Sequence, residues 1–377
     1  MNVKPHILYV LTKLELGGAQ KVCLTLLKNL SNCSLISGSE GVLIDEVKKH
    51  ESVFLLDSFK REVSLLSIFS EFKTFFRMIS RMRYLKKQHP NLIVHTHSTK
   101  AGLIGRWSAF FSGIKKRVHT IHGFGFHNHQ NKIFWIINLI LEFVTSLITT
   151  HYVCVSEDDR KTGIKFFPRF KNKSSVIRAA VDYEKFHVAT KLENSKNKKF
   201  VIGTTSCLKP QKNILDLLKA FKLFIEKLNL EERKNVRLQI IGDGIQRKMV
   251  EEWISENNLQ SKIDLLGWQN NVSKFMKSWD AFAMSSLWEG LPCAIVEARL
   301  SKLPVIAYNI NGIPEVIKNG KNGFLAEPGN WKSLSQKMEI LFHNRDLLEN
   351  LKEYPDGLRE FSNKAMIDQH SNLYQLL

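Results

Sequence analysis

At 377 residues the chain is long for one hydrophobic core, which favours two domains of ~150–200 residues each. Its 44% hydrophobic content and the lack of any long polar or fixed-period segment exclude a largely disordered chain and a repeat protein. The formal charge of +19 is lopsided: residues 1–190 carry 28 basic against 14 acidic side chains, residues 191–377 only 27 against 22, which points to an anionic partner for the first half.

Five scattered cysteines (Cys23, Cys33, Cys154, Cys207, Cys293) form no CxxC pair, as expected of a reducing, cytoplasmic compartment. The opening residues enter Ile7-Leu8-Tyr9-Val10-Leu11 at once. That run is too short for a secretory core and lacks a small-residue cleavage site, so it reads as a first β-strand. Gly17-Gly18 then separates the strand from an amphipathic helix ending near Leu30. Such a pair lets the backbone approach a bound group, although alone it means only a tight turn.

Residues 71–87 interleave Phe72, Phe75, Phe76, Ile79, Met82 and Leu85 with six basic side chains, Lys73 to Lys87. This is the composition of a helix lying on an anionic membrane surface; a core helix with a solvated basic face fits it equally. Nucleic acid is set aside, because no helix-turn-helix, RNP or zinc-finger pattern accompanies the charge. Strand Leu92 to Thr96 leads into His95-Thr96-His97. The two rings are read as lying on opposite faces of the strand, which disfavours a shared metal and leaves hydrogen bonding at a strand end.

His122 ends the next strand and is followed at once by Gly123, which sets a side chain at the lip of a cleft. Phe124 and Phe126 read as a mobile loop. The apolar stretch Ile133 to Thr150 falls short of a ~20-residue span and carries Asn138 and Glu142, so a buried helix is expected. The polar run Lys191 to Lys199 has a linker's composition. The expected division is residues 1–190, a linker at 191–199, a second domain at 200–355, and a terminal helix at 356–377.

Strand Phe200 to Thr204 opens the second half. It is followed by the loop Ser206 to Asn213 with Lys209 and Lys212, helix Ile214 to Leu228, strand Arg237 to Ile241, the turn Gly242-Asp243-Gly244, helix Gln246 to Asn257, and strand Ile263 to Leu266. The alternation predicts a doubly wound parallel sheet, whose ligands lie beyond the strands' carboxyl ends. The rest of the chain is arranged around Ser285 to Ala298. An apolar strand ends, the chain breaks at Gly290, and a helix restarts around Pro292. Its open N-terminus suits an anion, and Glu289 and Glu297 bracket it with carboxylates that suit vicinal hydroxyls. A bare Glu-x7-Glu is as readily an ordinary helix with a solvated Glu at each end.

Glu289-Gly290-Leu291-Pro292, Glu297-Ala298, Pro304 to Ala307, Gly312 to Ile317 and Gly320 to Leu325 follow in order and at close spacing. This run resembles the donor half of the retaining glycosyltransferases of family 4, with the look of bacterial surface-polysaccharide enzymes from His95 to Arg106. The resemblance implies an α/β GT-B fold: two Rossmann-like domains facing across a cleft, an acceptor domain and a nucleotide-sugar domain, with the C-terminal helix crossing back to the first. It implies a nucleotide-diphosphate sugar donor, UDP- or GDP-linked, carrying a hexose or N-acetylhexosamine, and a glycan or polyprenyl-linked acceptor at the inner membrane face.

By the same resemblance Glu289, His122 and Lys212 are the catalytic set. Gly17, Gly18, Lys209, Lys212, Gly290 and Leu291 take the diphosphate, Glu297 the ribose, and Gly267, Trp268 and Gln269 the nucleobase. No cofactor is implied. No Asp-x-Asp occurs, so no metal is expected. The chain departs from the pattern at Cys207, where an arginine is usual, at Ala179-Ala180 in place of Asn-Gly, and at Lys302 in place of a helix-ending glycine. A non-catalytic glycan- or lipid-binding protein and a sugar-nucleotide epimerase are the alternatives.

Overall fold

The computed structural model describes residues 4–50, 52–60, 68–187 and 199–377. The linker expected at 191–199 therefore falls, but for Lys199, outside the described residues. Two compact units result: Met1–Ala180 with Glu360–Leu377, and Val181–Arg359.

In the first unit seven segments form parallel strands: β1 (His6–Leu11), β2 (Cys33–Gly38), β3 (Val53–Leu56), β4 (Leu92–His97), β5 (Lys116–Ile121), β6 (His151–Cys154) and β7 (Ser174–Val176). Their order is β3-β2-β1-β4-β5-β6-β7. Strands β1 and β4 are buried throughout, as parallel strands covered on both faces must be. The helices that matter below are α1 (Gly18–Asn29), α2 (Ile68–Gln88), α3 (Thr99–Phe111) and α4 (Lys132–Ile148). Met78, Met82 and Leu85 of α2 pack with Ala101 and Ala109 of α3 on Leu8, Val10 and Val94 of the sheet.

The second unit repeats the plan with β8 (Phe200–Thr205), β9 (Val236–Ile241), β10 (Ile263–Gly267), β11 (Ala281–Met284), β12 (Val305–Tyr308) and β13 (Gly323–Ala326), ordered β10-β9-β8-β11-β12-β13. Helix α5 (Ile214–Lys227) follows β8 and α6 (Cys293–Leu300) follows β11. Chain order reverses between β1 and β4 in one sheet and between β8 and β11 in the other, the points where doubly wound sheets bind ligands.

The units divide ten residues before the boundary expected at 190. The reason lies in the Tyr183–Phe186 turn, which packs on α6, with Ser301 Oγ donating to the Phe186 carbonyl at 3.3 Å. Asp356 likewise stays with the second unit, held by Arg299 at 2.8 Å and by Asn322 Nδ2 at 2.5 Å. The last helix, α7 (Asn363–Leu376), belongs to the first unit and packs on α1.

Three expectations are corrected. His95 and His97 share one face of β4, their rings stacked at 4.5 Å, because residues two apart on a strand point the same way; Thr96 points to the other. The Phe124–Phe126 segment is packed: Phe126 is buried among Phe124, Trp135, Phe166 and Phe167. Helix α4 is not a buried helix. Its polar residues Glu142, Thr145 and Ser146 face inward, and Ile133, Ile137, Ile140, Val144 and Leu147 face solvent.

Candidate active site

Glu289 and Lys212 come from the two loops at the β8/β11 switch point. The first loop leaves β8 at Ser206 and closes in a 3-10 turn, Pro210–Lys212, before Asn213 takes a left-handed conformation (φ 46°) and α5 begins. Its back is fixed by the Gly242–Gly244 turn. Leu208 N donates to the Asp243 carbonyl at 2.9 Å, and a Cβ on Gly242 (φ 130°) would stand 2.0 Å from the Ser206 carbonyl oxygen. Only glycine allows that approach.

The second loop is stitched to the first. Ser285 Oγ donates to the Asn213 carbonyl at 2.8 Å, Leu287 N to the Gln211 carbonyl at 2.9 Å, and Gln211 Nε2 to the Trp288 carbonyl at 2.7 Å. These bonds bring the Lys212 ammonium into a direct ion pair with the Glu289 carboxylate, their side chains 17% and 9% exposed. Asn311 (φ 42°) accepts from Glu289 N at 3.0 Å, and Gly312 N donates to the Gly290 carbonyl at 3.1 Å, so the Glu289 turn is clamped from β12's side as well.

Gly290 and Leu291 are buried beside the start of α6, whose N-cap, Pro292, offers no side-chain acceptor to the first helical N–H groups. Glu297 lies farther along the same helix and is 7% exposed. Lys209 begins the same 3-10 turn as Lys212, Lys212 N donating to its carbonyl at 2.9 Å. Gly267 (φ 63°) ends β10 and accepts from Gly242 N at 2.8 Å; beyond it Trp268 is 56% exposed, and Gln269 Nε2 folds back to the Leu266 carbonyl at 2.7 Å. The Gly267 loop thus touches the turn that supports the Lys209–Lys212 loop.

The first unit carries the other predicted residues. Gly17 is extended (φ −158°) and caps α1 without a side-chain bond. The loop after β1 is tied to that after β4 by Thr12, whose hydroxyl lies 2.9 Å from Ser98 Oγ and accepts from Ala101 N at 3.2 Å. His122 follows β5, with Gly123 at φ 96° turning the chain away from it. Its Nε2 stands 3.1 Å from His97 Nδ1, so one ring donates and the other accepts. His95 Nδ1 pairs with Tyr374 Oη at 2.6 Å and its Nε2 with Thr120 Oγ1 at 2.7 Å. Burial holds His95 and His97 well below the usual histidine range and pushes His122 down to about 3, with the His370 charge adding to the fall. His122 is therefore a neutral hydrogen-bonding group.

Sequence reasoning missed Gln211, Asn311 and His97. Asn311 Oδ1 holds the Glu289 N–H, and Gln211 Nε2 reaches both the Trp288 carbonyl and, at 3.4 Å, the Glu289 carboxylate, bonds that no spacing rule marks, whereas the His-x-His phrase, read on one face, would have paired His97 with the end of the strand that carries His122.

A family model described as glycosyl transferases group 1 matches residues 189–356, and one described as Glycosyltransferase Family 4 matches residues 16–185. The chain is 35% identical over 324 residues to UDP-Gal:alpha-D-GlcNAc-diphosphoundecaprenol alpha-1,3-galactosyltransferase of Escherichia coli, covering 83% of this chain and 81% of that protein. The chain is a family 4-type glycosyltransferase. The enzyme is also 26% identical, over 81% of its length and 79% of the relative's, to the capsular polysaccharide biosynthesis glycosyltransferase CapM of Staphylococcus aureus. Among solved structures, Anabaena HepE in complex with UDP and glucose superposes with a TM-score of 0.80 at 18% identity, covering 99% of this chain and 100% of that one, and its likeness shows the GT-B fold.

Proposed function

We propose that the enzyme transfers a hexose from a UDP-linked donor, with retention at the anomeric carbon, to a polyprenyl diphosphate-linked glycan in bacterial surface-polysaccharide synthesis. The observation that carries the reading is the Lys212–Glu289 ion pair at the switch point of the second sheet. A lysine and a glutamate held together there can part on binding: the ammonium turns to the donor's diphosphate and the carboxylate to the sugar hydroxyls. The donor base and the acceptor are suggested by the Escherichia coli relative, named for UDP-Gal and an undecaprenyl-linked GlcNAc, and by the UDP held in HepE.

Lys209, Lys212 and the backbone N–H groups around Gly290 and Leu291 would stabilise the charge that grows as the diphosphate leaves, without a divalent ion. Gly17 and Gly18 are assigned to the same phosphates, Glu297 to the ribose, and Gly267, Trp268 and Gln269 to the base. His122, neutral, is assigned to the sugar hydroxyls as a hydrogen-bond partner rather than an acid. The first unit is the acceptor side and the second the donor side. The basic helix α2 is assigned to an anionic membrane surface at the cytoplasmic face.

UDP release from a panel of nucleotide sugars, with and without a polyprenyl diphosphate-GlcNAc acceptor, tests the reading. Acceptor-stimulated release from a UDP-hexose is the expected result. Turnover that survives Glu289→Ala and Lys212→Ala combined removes the site assignment, and product of inverted configuration removes the stereochemical one.

A further inference from the structure

Helix α4 is built inside out. Its inward stripe is polar: Glu142 binds the buried Arg106 by two hydrogen bonds of 2.8 Å, Thr145 Oγ1 accepts from Trp107 Nε1 at 3.0 Å, and Asn138 Nδ2 donates to the Gly125 carbonyl at 3.0 Å. Its outward stripe is apolar. Nine of its 17 residues are large hydrophobic side chains open to solvent, including Ile133 at 66%, Phe134 at 63% and Leu147 at 63%. Ile133, Ile137, Ile140, Val144 and Leu147 recur at the three- and four-residue spacing of one helix face. Monomeric proteins rarely expose a contiguous apolar surface of this size unless something covers it.

The charges around the stripe say what covers it. Lys132 opens the helix. At its other end Arg117 Nε donates to the Ile148 carbonyl at 2.5 Å and Lys173 to the Thr149 carbonyl at 3.2 Å, with Lys115 exposed nearby in the chain. The helix's one acidic residue, Glu142, is turned inward. A second copy of the chain would bring this face against itself, and basic ends against basic ends. An anionic bilayer complements both features, taking the apolar stripe at its headgroup boundary and the exposed Lys115 and Lys132 among its phosphates. The helix is too short to cross: 17 residues rise ~25 Å, and no helix among the described residues is long and apolar enough to span a membrane.

We propose that the outward face of α4 inserts, lying in the membrane plane, into an anionic bilayer and is the apolar anchor of the enzyme. The proposal rests on the membrane reading of α2 and deepens it, giving α2 the salt-sensitive attraction and α4 the salt-resistant hold. Helix α3 joins the two through Trp107 and through Phe111, whose ring meets Phe75 at 5.9 Å. The bond from Asn138 to Gly125 fastens the anchor to the loop that follows His122, so a lipid-borne acceptor would be presented beside that loop.

The full chain is mixed with phosphatidylglycerol–phosphatidylcholine vesicles and sedimented at low and high salt. The wild type is expected to sediment under both conditions. Ile137→Glu/Ile140→Glu, placed on the exposed face, should bind at least ~10-fold more weakly at high salt, and Lys73→Glu/Arg77→Glu in α2 should lose only the extra affinity seen at low salt and match the wild type at high salt. Phe134→Ser/Leu147→Ser repeats the α4 test with smaller changes, should the first pair fail to fold. High-salt binding equal to wild type in both α4 variants overturns the proposal. So does a wild type that stays in the supernatant, or one that sediments alone as a dimer which Ile140→Glu splits. UDP release with a short-chain, water-soluble acceptor should be unchanged in the α4 variants; its absence in the wild type would count against the proposed transfer and leave the anchor standing.

Discussion

Arg106 and Glu142 face each other across α3 and α4 as a closed, two-pronged pair, both prongs 2.8 Å long, with the Thr149 and Tyr152 hydroxyls sharing Arg106 Nη1 at 2.9 and 3.1 Å and Nε donating to the Gly102 carbonyl at 2.7 Å. This knot is why α4 turns its apolar side outward. Two charged groups out of water stay together, and the helix that carries one of them must present its polar stripe to the core.

Glu142→Ala leaves the Arg106 guanidinium buried without its counter-charge, which costs ~3–5 kcal/mol in comparable pairs. Urea unfolding should show the midpoint falling by that free energy divided by the m-value, with little change in slope. Arg106→Met/Glu142→Leu should lose far less, because no orphan charge remains. A single variant as stable as the double would show that the pair does not hold α4.

The buried histidines set a pH dependence. His6, His151 and His370 are lowered to about 4 and His122 to about 3, in each case chiefly by burial. Their folded values lie below the unfolded value of ~6.5, so below that pH the unfolded chain binds more protons than the folded one. Their contribution to stability is complete above ~6.5 and is lost as pH falls toward about 4. Thermal unfolding temperatures should be level from pH 8 to 7 and drop steadily from pH 6.5 to 5, before most carboxylates titrate. A flat profile to pH 5 would mean that these rings charge freely in the native state.

Strands such as β1, β4 and β11 were legible because strands covered on both faces are plain apolar runs, and Gly and Pro punctuate the chain at Gly17-Gly18, Gly242-Asp243-Gly244 and Gly290-Leu291-Pro292; β2, β3 and β7 were not read as strands. The Glu289–Glu297 stretch was legible for the same reason. Helix α4 was not. Periodicity gives the two faces of a helix but not which one looks inward, and that choice was made by Arg106, 36 residues away in the chain. The signal lay in Asn138, Glu142, Thr145 and Ser146, a polar stripe too regular to be incidental. Gln211 and Asn311 were beyond reach, since each meets Glu289 or its loop through bonds formed only once the sheet has assembled.

Lys302 ends α6 in the left-handed region, at φ 61°. Leu303 N and Lys302 N return to the Ala298 and Arg299 carbonyls at 3.0 Å, the closing turn that glycine usually supplies. A side chain costs ~1–2 kcal/mol there. Lys302→Gly, less its gain in unfolded-state entropy, should raise stability by about 1 kcal/mol, or ~2–4 °C in a domain of this size, without altering UDP release. Lys302→Ala, which keeps the Cβ, should give no comparable rise in differential scanning calorimetry.

Under the proposed site assignment the Lys212–Glu289 pair joins stability to chemistry, and the two can be separated. Either single change, Lys212→Met or Glu289→Gln, should lower kcat ~10²–10³-fold, the usual loss when a charge-stabilising group leaves a transition state. Lys212→Met should also destabilise by ~1–3 kcal/mol, because the Glu289 carboxylate, 9% exposed, is left without its cation. In Lys212→Met/Glu289→Gln the orphan charge is gone, so stability should return most of the way while kcat stays no better than in the singles. Residues that act as one unit are not additive. The decisive comparison is the double variant's urea midpoint against its rate of UDP release: recovery of both would make the pair a fastener for two loops and remove it from the chemistry.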